Sequence, residues 1–317
     1  MTKPLSCELS FIIPHMGREN MLCQTIDSIG AQHFALDQVE VIVATKNHAL
    51  TLADLPQIDN LRISLVQADP ALTISHQRNL AASHAKGKHL AFLDADVCLA
   101  PNWIEAMLTL LKSDGEIKLV SAIQKNSDNA PPLEQLRTFI SNAHIDCEVE
   151  FLPGRNLLLS AETFDESGGF PEHLVTCEDY VFTQRVHQQG KLIYSSNSTY
   201  IHLGEDKAFW PMAKKEVWRG QSNIASLSGR KVPSSEWPSF IAPPIFTLGL
   251  FAAVIALLAG ALLWSSVFLI PSVLVLLLYT FRLYRISKGG LSLSTILSFY
   301  SLYFPARTWG TVKGFFN

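Results

Sequence analysis

The chain's first apolar run, Leu9–Ile13, is five residues long and is halted by Pro14, which predicts a short buried strand. Apolar residues recur at helical spacing over Met21–Ile29. Val39–Val43 and Leu61–Val66 read as further strands, His76–His84 as a helix and His89–Leu93 as a fourth strand. Pro101 stands where a first helical turn favours proline, opening a helix over Asn102–Leu111. Alternation of this kind predicts an α/β fold, a mostly parallel sheet with flanking helices. Ligands of such sheets gather beyond the carboxyl ends of the strands, so the residues just after each run carry the interest.

From Lys118 the pattern becomes mixed. Lys118–Ile123 reads as a strand, Asn126–Pro132 as a loop, and the stretch to Arg155 as irregular. Asn156–Ser160 is a predicted strand and Ser167–Pro171 a turn-rich loop. Glu178–Gln189 is an amphipathic helix closed by Gly190, and strands follow at Lys191–Tyr194 and Thr199–His202.

Beyond the polar segment Ser222–Glu236, 45 consecutive residues between Glu236 and Arg282 carry no Asp, Glu, Lys, Arg or His. A bilayer crossing needs about 20 apolar residues, so this stretch is long enough to cross twice. The expected spans are 243–263 and 266–283, with a tight turn at Trp264-Ser265-Ser266. Leu291–Phe304 is apolar but only 14 residues long, which predicts an interfacial or re-entrant segment within a tail of 286–317.

Charge divides the chain at the same place. Charged residues are only 17% of the total, against about 25% in soluble domains. Five basic residues and no acidic one lie between Trp237 and Asn317. Residues 1–236 hold the other 20 basic and all 28 acidic residues, a formal −8. An acidic body does not suit nucleic acid; it suits a divalent cation and small phosphorylated substrates. Arg230 and Lys231 precede the apolar run, and Arg282, Arg285 and Lys288 follow it. The positive-inside tendency then places both ends in the cytosol, giving a multi-pass protein of the inner (cytoplasmic) membrane. Five scattered cysteines make neither a disulfide framework nor a zinc site, and the N-terminal apolar run is too short for a signal peptide.

Candidate chemistry sits at the predicted strand ends. His89–Leu93 runs into Asp94-Ala95-Asp96, two carboxylates able to hold a hard cation that also grips a diphosphate. On position alone a metal site and an ordinary capping loop both remain open. Glu178-Asp179 opens a helix, where acids favour the macrodipole, or else supplies a general base. His202 ends an apolar strand, where a histidine is either structural or a ligand.

Together these segments resemble the family 2 glycosyltransferases of the GT-A fold. The resemblance covers residues 7–205 and runs in order through Leu9–Pro14, Arg78-Asn79-Leu80-Ala81, Ala85-Lys86-Gly87, Leu90–Asp96, Gly154-Arg155-Asn156, Phe164–Phe170, Glu178-Asp179 and His202. It implies a 1–205 catalytic domain; the charge and apolar pattern beyond it adds a 206–240 connecting segment, read as facing the membrane, and the hairpin of 241–285. The resemblance also implies inverting sugar transfer from a nucleotide-diphosphate donor. Pro14, Arg78, Asp94 and Asp96 would bind the donor; Asp96 and His202 would ligate Mn²⁺ or Mg²⁺; Asp179 would be the base. Gly169, Phe170 and Glu178 would lie on the acceptor side.

One departure from the family pattern is that no acid follows the second strand, where Val43 leads into Ala44-Thr45-Lys46-Asn47. Uridine is still the favoured base, and Lys46 is either a phosphate contact or an exposed loop lysine. The expected acceptor is a lipid-linked saccharide of a cell-surface polysaccharide, with two crossings too few for a secretion channel. The alternatives are transfer to a polyprenyl phosphate, or a membrane-anchored scaffold without activity. Trp210 and Trp218, among Lys214, Lys215 and Arg219, suggest a helix lying against the membrane.

Overall fold

Strand and helix succeed each other through the first part of the computed structural model, which describes residues 7–227, 232, 234 and 236–316. Arg230 and Lys231, the basic flank before the apolar run, lie outside the described residues. In chain order come Leu9–His15 (β1), Glu19–Gly30 (α1), Val39–Thr45 (β2), Arg62–Gln67 (β3), Ile74–Ala82 (α2), His89–Leu93 (β4), Val97–Leu99 (β5) and Trp103–Ser113 (α3). Ile117–Lys125 (β6), Pro132–Ser141 (α4), Cys147–Val149 (β7), Asn156–Ser160 (β8), Ala161–Ser167 (α5), Glu178–His187 (α6) and Lys191–His202 (β9) follow. The chain ends with Phe209–Gly220 (α7), Trp237–Leu258 (α8), Leu262–Ile286 (α9) and Leu293–Gly314 (α10).

Two compact units emerge. One holds residues up to Ser127 together with His144–Gly204; the other holds Asp128–Ala143 and the chain from Glu205 onward. The first is built on one sheet of order β3-β2-β1-β4-β8-β6-β9-β5, with β7 paired to β9. Pairing is parallel from β3 through β4, then mixed, because β8 runs antiparallel to both β4 and β6. The parallel expectation therefore describes the first half of the sheet. Every residue of β1 and β2 is buried, as strands covered on both faces require. One side of the sheet packs Leu22, Ile26 and Ile29 of α1 and Trp103 and Met107 of α3; the other packs Phe92, Phe164, Phe170 and Phe182.

Several short elements escape sequence periodicity. α5 has seven residues, too few for a helical repeat to register; the Ser160 hydroxyl caps it by accepting from Thr163 N, and Gly168 at φ 73° closes it. β9 is one continuous strand rather than two. The slip in its pairing with β6, between Ala122 and Ile123, absorbs Ser196-Asn197-Ser198 as a bulge. α4 folds where a loop and irregular chain were expected, started by Pro132 and burying Leu133 and Leu136.

In the second unit the uncharged run forms α8 and α9, each long and apolar enough to cross a membrane. The turn falls at Ala259-Gly260-Ala261, where Gly260 takes φ 73°, and not at Trp264–Ser266. Ser265 instead lies inside α9, its hydroxyl donating to the Ala253 carbonyl across the hairpin at 2.9 Å. Ser272 likewise donates to Ile245 O, and Gly249 has no Cβ to obstruct it. Both pairings give a hydroxyl within an apolar helix an acceptor on the facing helix. α10 has 22 residues, longer than the 14-residue apolar stretch, and Ser292 caps its start. Its Ile296, Phe299, Tyr300 and Phe304 join Leu133, Leu136, Met212, Phe246 and Leu283 in this unit's core.

Candidate active site

The carboxyl ends of β1, β4 and β9 meet the start of α6 and the chain that leads into β8. Strand order reverses direction between β1 and β4, since β2 lies on the other side of β1; such a switch point opens a crevice. Gln77, 3% exposed in α2, donates to His15 O and Ala44 O at the ends of β1 and β2. This fixes the rim where Pro14 lies buried, paired in register with Ala44.

One chain of charges runs through Arg78. Its side chain is 2% exposed; Nη2 donates to Asp94 Oδ1 at 2.9 Å and Nη1 to Glu178 Oε1 at 2.8 Å. The guanidinium lies 4.9 Å over the Phe170 ring. Burial works against the Arg78 charge, but Asp94 and then Glu178 outweigh it and raise its pKa. For Glu178 the balance goes the other way: burial, followed by repulsion from Asp179, pushes its carboxyl up to about 7. Asp179 itself is oriented by the backbone, its Oδ2 accepting from Gly154 N at 3.1 Å and its Oδ1 from Tyr180 N at 2.9 Å. A Cβ on Gly154 would stand 3.1 Å from both Arg78 Nη2 and Asp179 Cβ, so glycine is what lets the backbone pass here.

A second chain runs through Asp96, which is 4% exposed. Arg18 Nη1 donates to Oδ2 at 2.8 Å, and His202 Nε2 stands 3.3 Å from Oδ1. Arg155 Nη1 lies 3.1 Å from His202 Nδ1. Guanidinium can only donate, so Nδ1 accepts and Nε2 carries the proton toward Asp96. Burial alone would raise the Asp96 carboxyl; the His202 bond, with Arg18 and Arg155, holds it below the usual range. The two chains join at Gly154-Arg155, where Gly154 N donates to Asp179 and the Arg155 carbonyl accepts from Asp94 N at 3.2 Å.

Asp96 and His202 are an oxygen and nitrogen donor pair already in contact, a set that suits Mn²⁺ or Mg²⁺. Among the described residues no three or more His, Cys, Asp or Glu side chains cluster closely enough to hold a cation alone. A cation here would draw its remaining ligands from a diphosphate and water, and His202 would have to exchange tautomer as Arg155 leaves Nδ1.

The structure thus brings Asp94, Asp96, Glu178, Asp179 and His202 together and alters the expectations for four residues. Phe170 is not open to an acceptor: it is 2% exposed and stacks on Phe182 at 4.0 Å, while its backbone is held by Asn79. Gly169, whose carbonyl accepts from Arg185, belongs to the same buried turn. Arg78 and Glu178 bind each other, so neither the donor contact expected of Arg78 nor the acceptor contact expected of Glu178 is what their geometry offers; Arg78 instead links Glu178 to Asp94. Lys46 donates to the Leu72 carbonyl.

Sequence reading gives no role to Arg18, Arg155 or Gly204. Arg155 lies inside a quoted motif, and Gly17-Arg18 just before a helix is the only local signal for the other arginine.

Comparison with known proteins bears on the family and the fold. Residues 10–168 match the model of "Glycosyl transferase family 2". Validoxylamine A glucosyltransferase of Streptomyces hygroscopicus subsp. jinggangensis is 29% identical over 135 residues, 42% of this chain and 32% of that protein. Poly(ribitol-phosphate) beta-glucosyltransferase of Bacillus spizizenii is 24% identical over 203 residues, 62% of this chain and 32% of its own length. The match therefore spans under two thirds of these relatives. Among solved structures, the mannosyltransferase PcManGT of Pyrobaculum calidifontis, in complex with GDP-Man and Mn²⁺, aligns over 96% of this chain and 87% of its own. That alignment has a TM-score of 0.61 at 16% identity. Residues 1–349 of S. aureus TarS with UDP-GlcNAc align over 95% of this chain and 90% of that one, with a TM-score of 0.50 at 13% identity. At these identities the likeness is one of fold, and it is the GT-A fold.

Proposed function

Because the chain belongs to glycosyl transferase family 2, we propose that it moves a sugar from a nucleotide-diphosphate donor to an acceptor hydroxyl, inverting the anomeric centre. The observation that carries this reading is the meeting of Asp96 with His202 at 3.3 Å, on one side of the Gly154–Arg155 peptide, with Asp179 hydrogen-bonded on the other.

Asp179, oriented by two backbone N–H groups, takes the proton of the acceptor hydroxyl. The acceptor oxygen bonds to the anomeric carbon as the bond from that carbon to the diphosphate breaks on the opposite face. Arg78, anchored by Glu178, keeps Asp94 in place, and Asp94, 31% exposed, is set to meet the ribose or the sugar. Asp96 and His202 would hold Mn²⁺ or Mg²⁺, which when bound offsets the charge gathering on the departing diphosphate. The structural neighbours are described with UDP-GlcNAc and with GDP-Man, which supports a nucleoside-diphosphate sugar as donor class; a UDP-sugar is the favoured choice.

We assign residues 1–205 to catalysis, except that 128–143 pack with the C-terminal unit. In this reading α8 and α9 cross the cytoplasmic membrane as a hairpin with both ends in the cytosol. Trp210 and Trp218, 66% and 50% exposed on α7 beside Lys214 and Lys215, lie in the interface, as does the tail from 286 onward. A chain so anchored works on an acceptor held at the membrane face, and the poly(ribitol-phosphate) relative supports a lipid-linked saccharide of a cell-surface polymer.

The test is a Mn²⁺ titration with UDP- and GDP-sugars on the detergent-solubilised protein. Asp96→Ala and His202→Ala should each weaken Mn²⁺-dependent donor binding at least tenfold, since each removes a metal ligand (about 1.4 kcal/mol per tenfold). Titrations unchanged in both variants would remove this site from the account.

A further inference from the structure

Arg18 stands in an unusual backbone conformation. It takes φ 63° directly after Gly17 at φ 72°, on the last step before α1, and its carbonyl accepts from Met21 N and Leu22 N. A non-glycine residue in the left-handed region costs about 1–2 kcal/mol. Such strain persists where surrounding structure holds it, and it collects at working sites.

The side chain explains what the strain achieves. From this position Arg18 reaches across 78 residues of sequence to place Nη1 2.8 Å from Asp96 Oδ2. Gly204 makes room for the pair: a Cβ there would lie 2.1 Å from Asp96 Oδ2 and 2.7 Å from Arg18 Nη1. Asp96 is buried while the Arg18 side chain is 58% exposed, so the bond joins a fixed carboxylate to a cation that remains in contact with solvent.

We propose that Arg18 is a placeholder cation for the donor site: it neutralises Asp96 while no metal is bound, yields Asp96 to the entering divalent ion, and then binds the diphosphate that ion brings. This rests on the reading of Asp96 as a metal ligand.

Electrostatics argue for the exchange. A buried carboxylate without a partner is costly, so an empty metal position needs a substitute charge. His202 supplies a neutral donor on one oxygen of Asp96, which leaves Arg18 as the full positive charge within bonding distance of that carboxylate among the described contacts. Once a divalent ion occupies Asp96, the guanidinium is repelled from it and attracted to the diphosphate, whose negative charge one divalent ion does not fully offset. Guanidinium geometry suits bidentate phosphate binding, and an exposed side chain can turn to it without disturbing the core. Arg78, by contrast, is 2% exposed between Asp94 and Glu178 and has no such freedom.

The proposal predicts opposite signs for two affinities, measured by calorimetry on the whole protein in detergent. In Arg18→Gln, Mn²⁺ alone should bind three- to tenfold tighter, because its competitor for Asp96 is gone. UDP or GDP in the presence of saturating Mn²⁺ should bind about tenfold weaker, because a diphosphate ligand is gone. Arg18→Lys keeps the charge and should return Mn²⁺ affinity toward wild type, recovering only part of the nucleotide affinity. If Mn²⁺ alone binds Arg18→Gln no tighter than wild type, Arg18 does not compete for Asp96 and the proposal fails. If the nucleotide affinity of Arg18→Gln equals wild type, Arg18 does not reach the diphosphate and the proposal fails in its second half. A wild-type protein that binds neither Mn²⁺ nor either nucleotide would overturn the reading of Asp96 itself, and the proposal with it.

Discussion

Glu216 in α7 is 2% exposed and Asp96 beyond β4 is 4% exposed, and basic partners hold both below the usual carboxylate range against the opposing effect of burial: three arginines for Glu216, and His202 followed by Arg18 and Arg155 for Asp96. Their surroundings differ. Glu216 sits among Arg137 of α4, Arg219 of its own helix and Arg307 of α10, with Asp206 and Glu205 adding two further carboxylates that are 1% exposed. Those arginines are themselves 16–29% exposed and tie three helices together around Glu216, while an exposed cation, Lys215 at 46%, meets the neighbouring Asp206 at 2.8 Å. The Asp96 network instead ends on Arg18, 58% exposed, and the neighbouring one on Asp94, 31% exposed. Burial and pairing alone do not distinguish an architectural cluster from a working one. What distinguishes them is whether one partner can be exchanged for a ligand.

That contrast can be broken most severely at Asp179. Asp179→Asn keeps the shape and the contact with Gly154 but accepts no proton at neutral pH. Transfer should fall by about 10²–10⁴-fold while Mn²⁺ and nucleotide affinities stay within twofold, read by product formation and calorimetry. Transfer near the wild-type rate would return Asp179 to the role of a helix-starting acid.

Glu216→Ala tests the architectural side. It strands Arg137, Arg219 and Arg307 without their shared carboxylate, and should cost about 3–5 kcal/mol of stability, read by denaturant unfolding in detergent. Mn²⁺ affinity of the folded fraction should not move. A stable variant with impaired metal binding would invert the assignment of the two networks.

The smallest effect concerns pH. The folded Glu178 carboxyl is raised to about 7 from an ordinary value of 4.5, by burial first and by Asp179 second. Between those values the folded chain keeps a proton that the unfolded chain has lost, so this group's contribution to stability falls as pH rises from 4.5 to 7 and is level outside that window. The full fall is on the order of 3 kcal/mol. Glu178→Gln should abolish it, measured as the difference in unfolding free energy between wild type and variant across that range. A difference that changes with pH in the opposite sense would mean that Arg78 holds Glu178 ionised.

Sequence reading reaches far in the first unit because its strands are short apolar runs with clear stops. β1, β2 and β4 appear in the right places, and Asp94, Asp96, Asp179 and His202 are singled out by their positions, take their proposed roles from the family resemblance, and stand near one another in the fold. It stops at residues whose meaning depends on a partner distant in sequence. Phe170 in a Gly-Gly-Phe turn reads as a sugar-stacking aromatic until Phe92, Phe164 and Phe182 are seen around it. Glu178 reads as an acceptor contact until Arg78, 100 residues earlier, is found bound to it.

The sequence by itself determined the α/β order of the first unit, the candidate carboxylates and histidine at its strand ends, and a long uncharged segment that forms two apolar helices, because each is written in local spacing, composition and the order of short motifs. Only the tertiary structure decided that the sheet turns mixed after β4, that the hairpin bends at Gly260, that 128–143 leave one unit for the other, and that Arg18 meets Asp96. Those outcomes depend on pairing, close approach and charge between residues that no local pattern relates. Gly204 shows why: the absence of one methyl group matters only once Asp96 and Arg18 stand beside it.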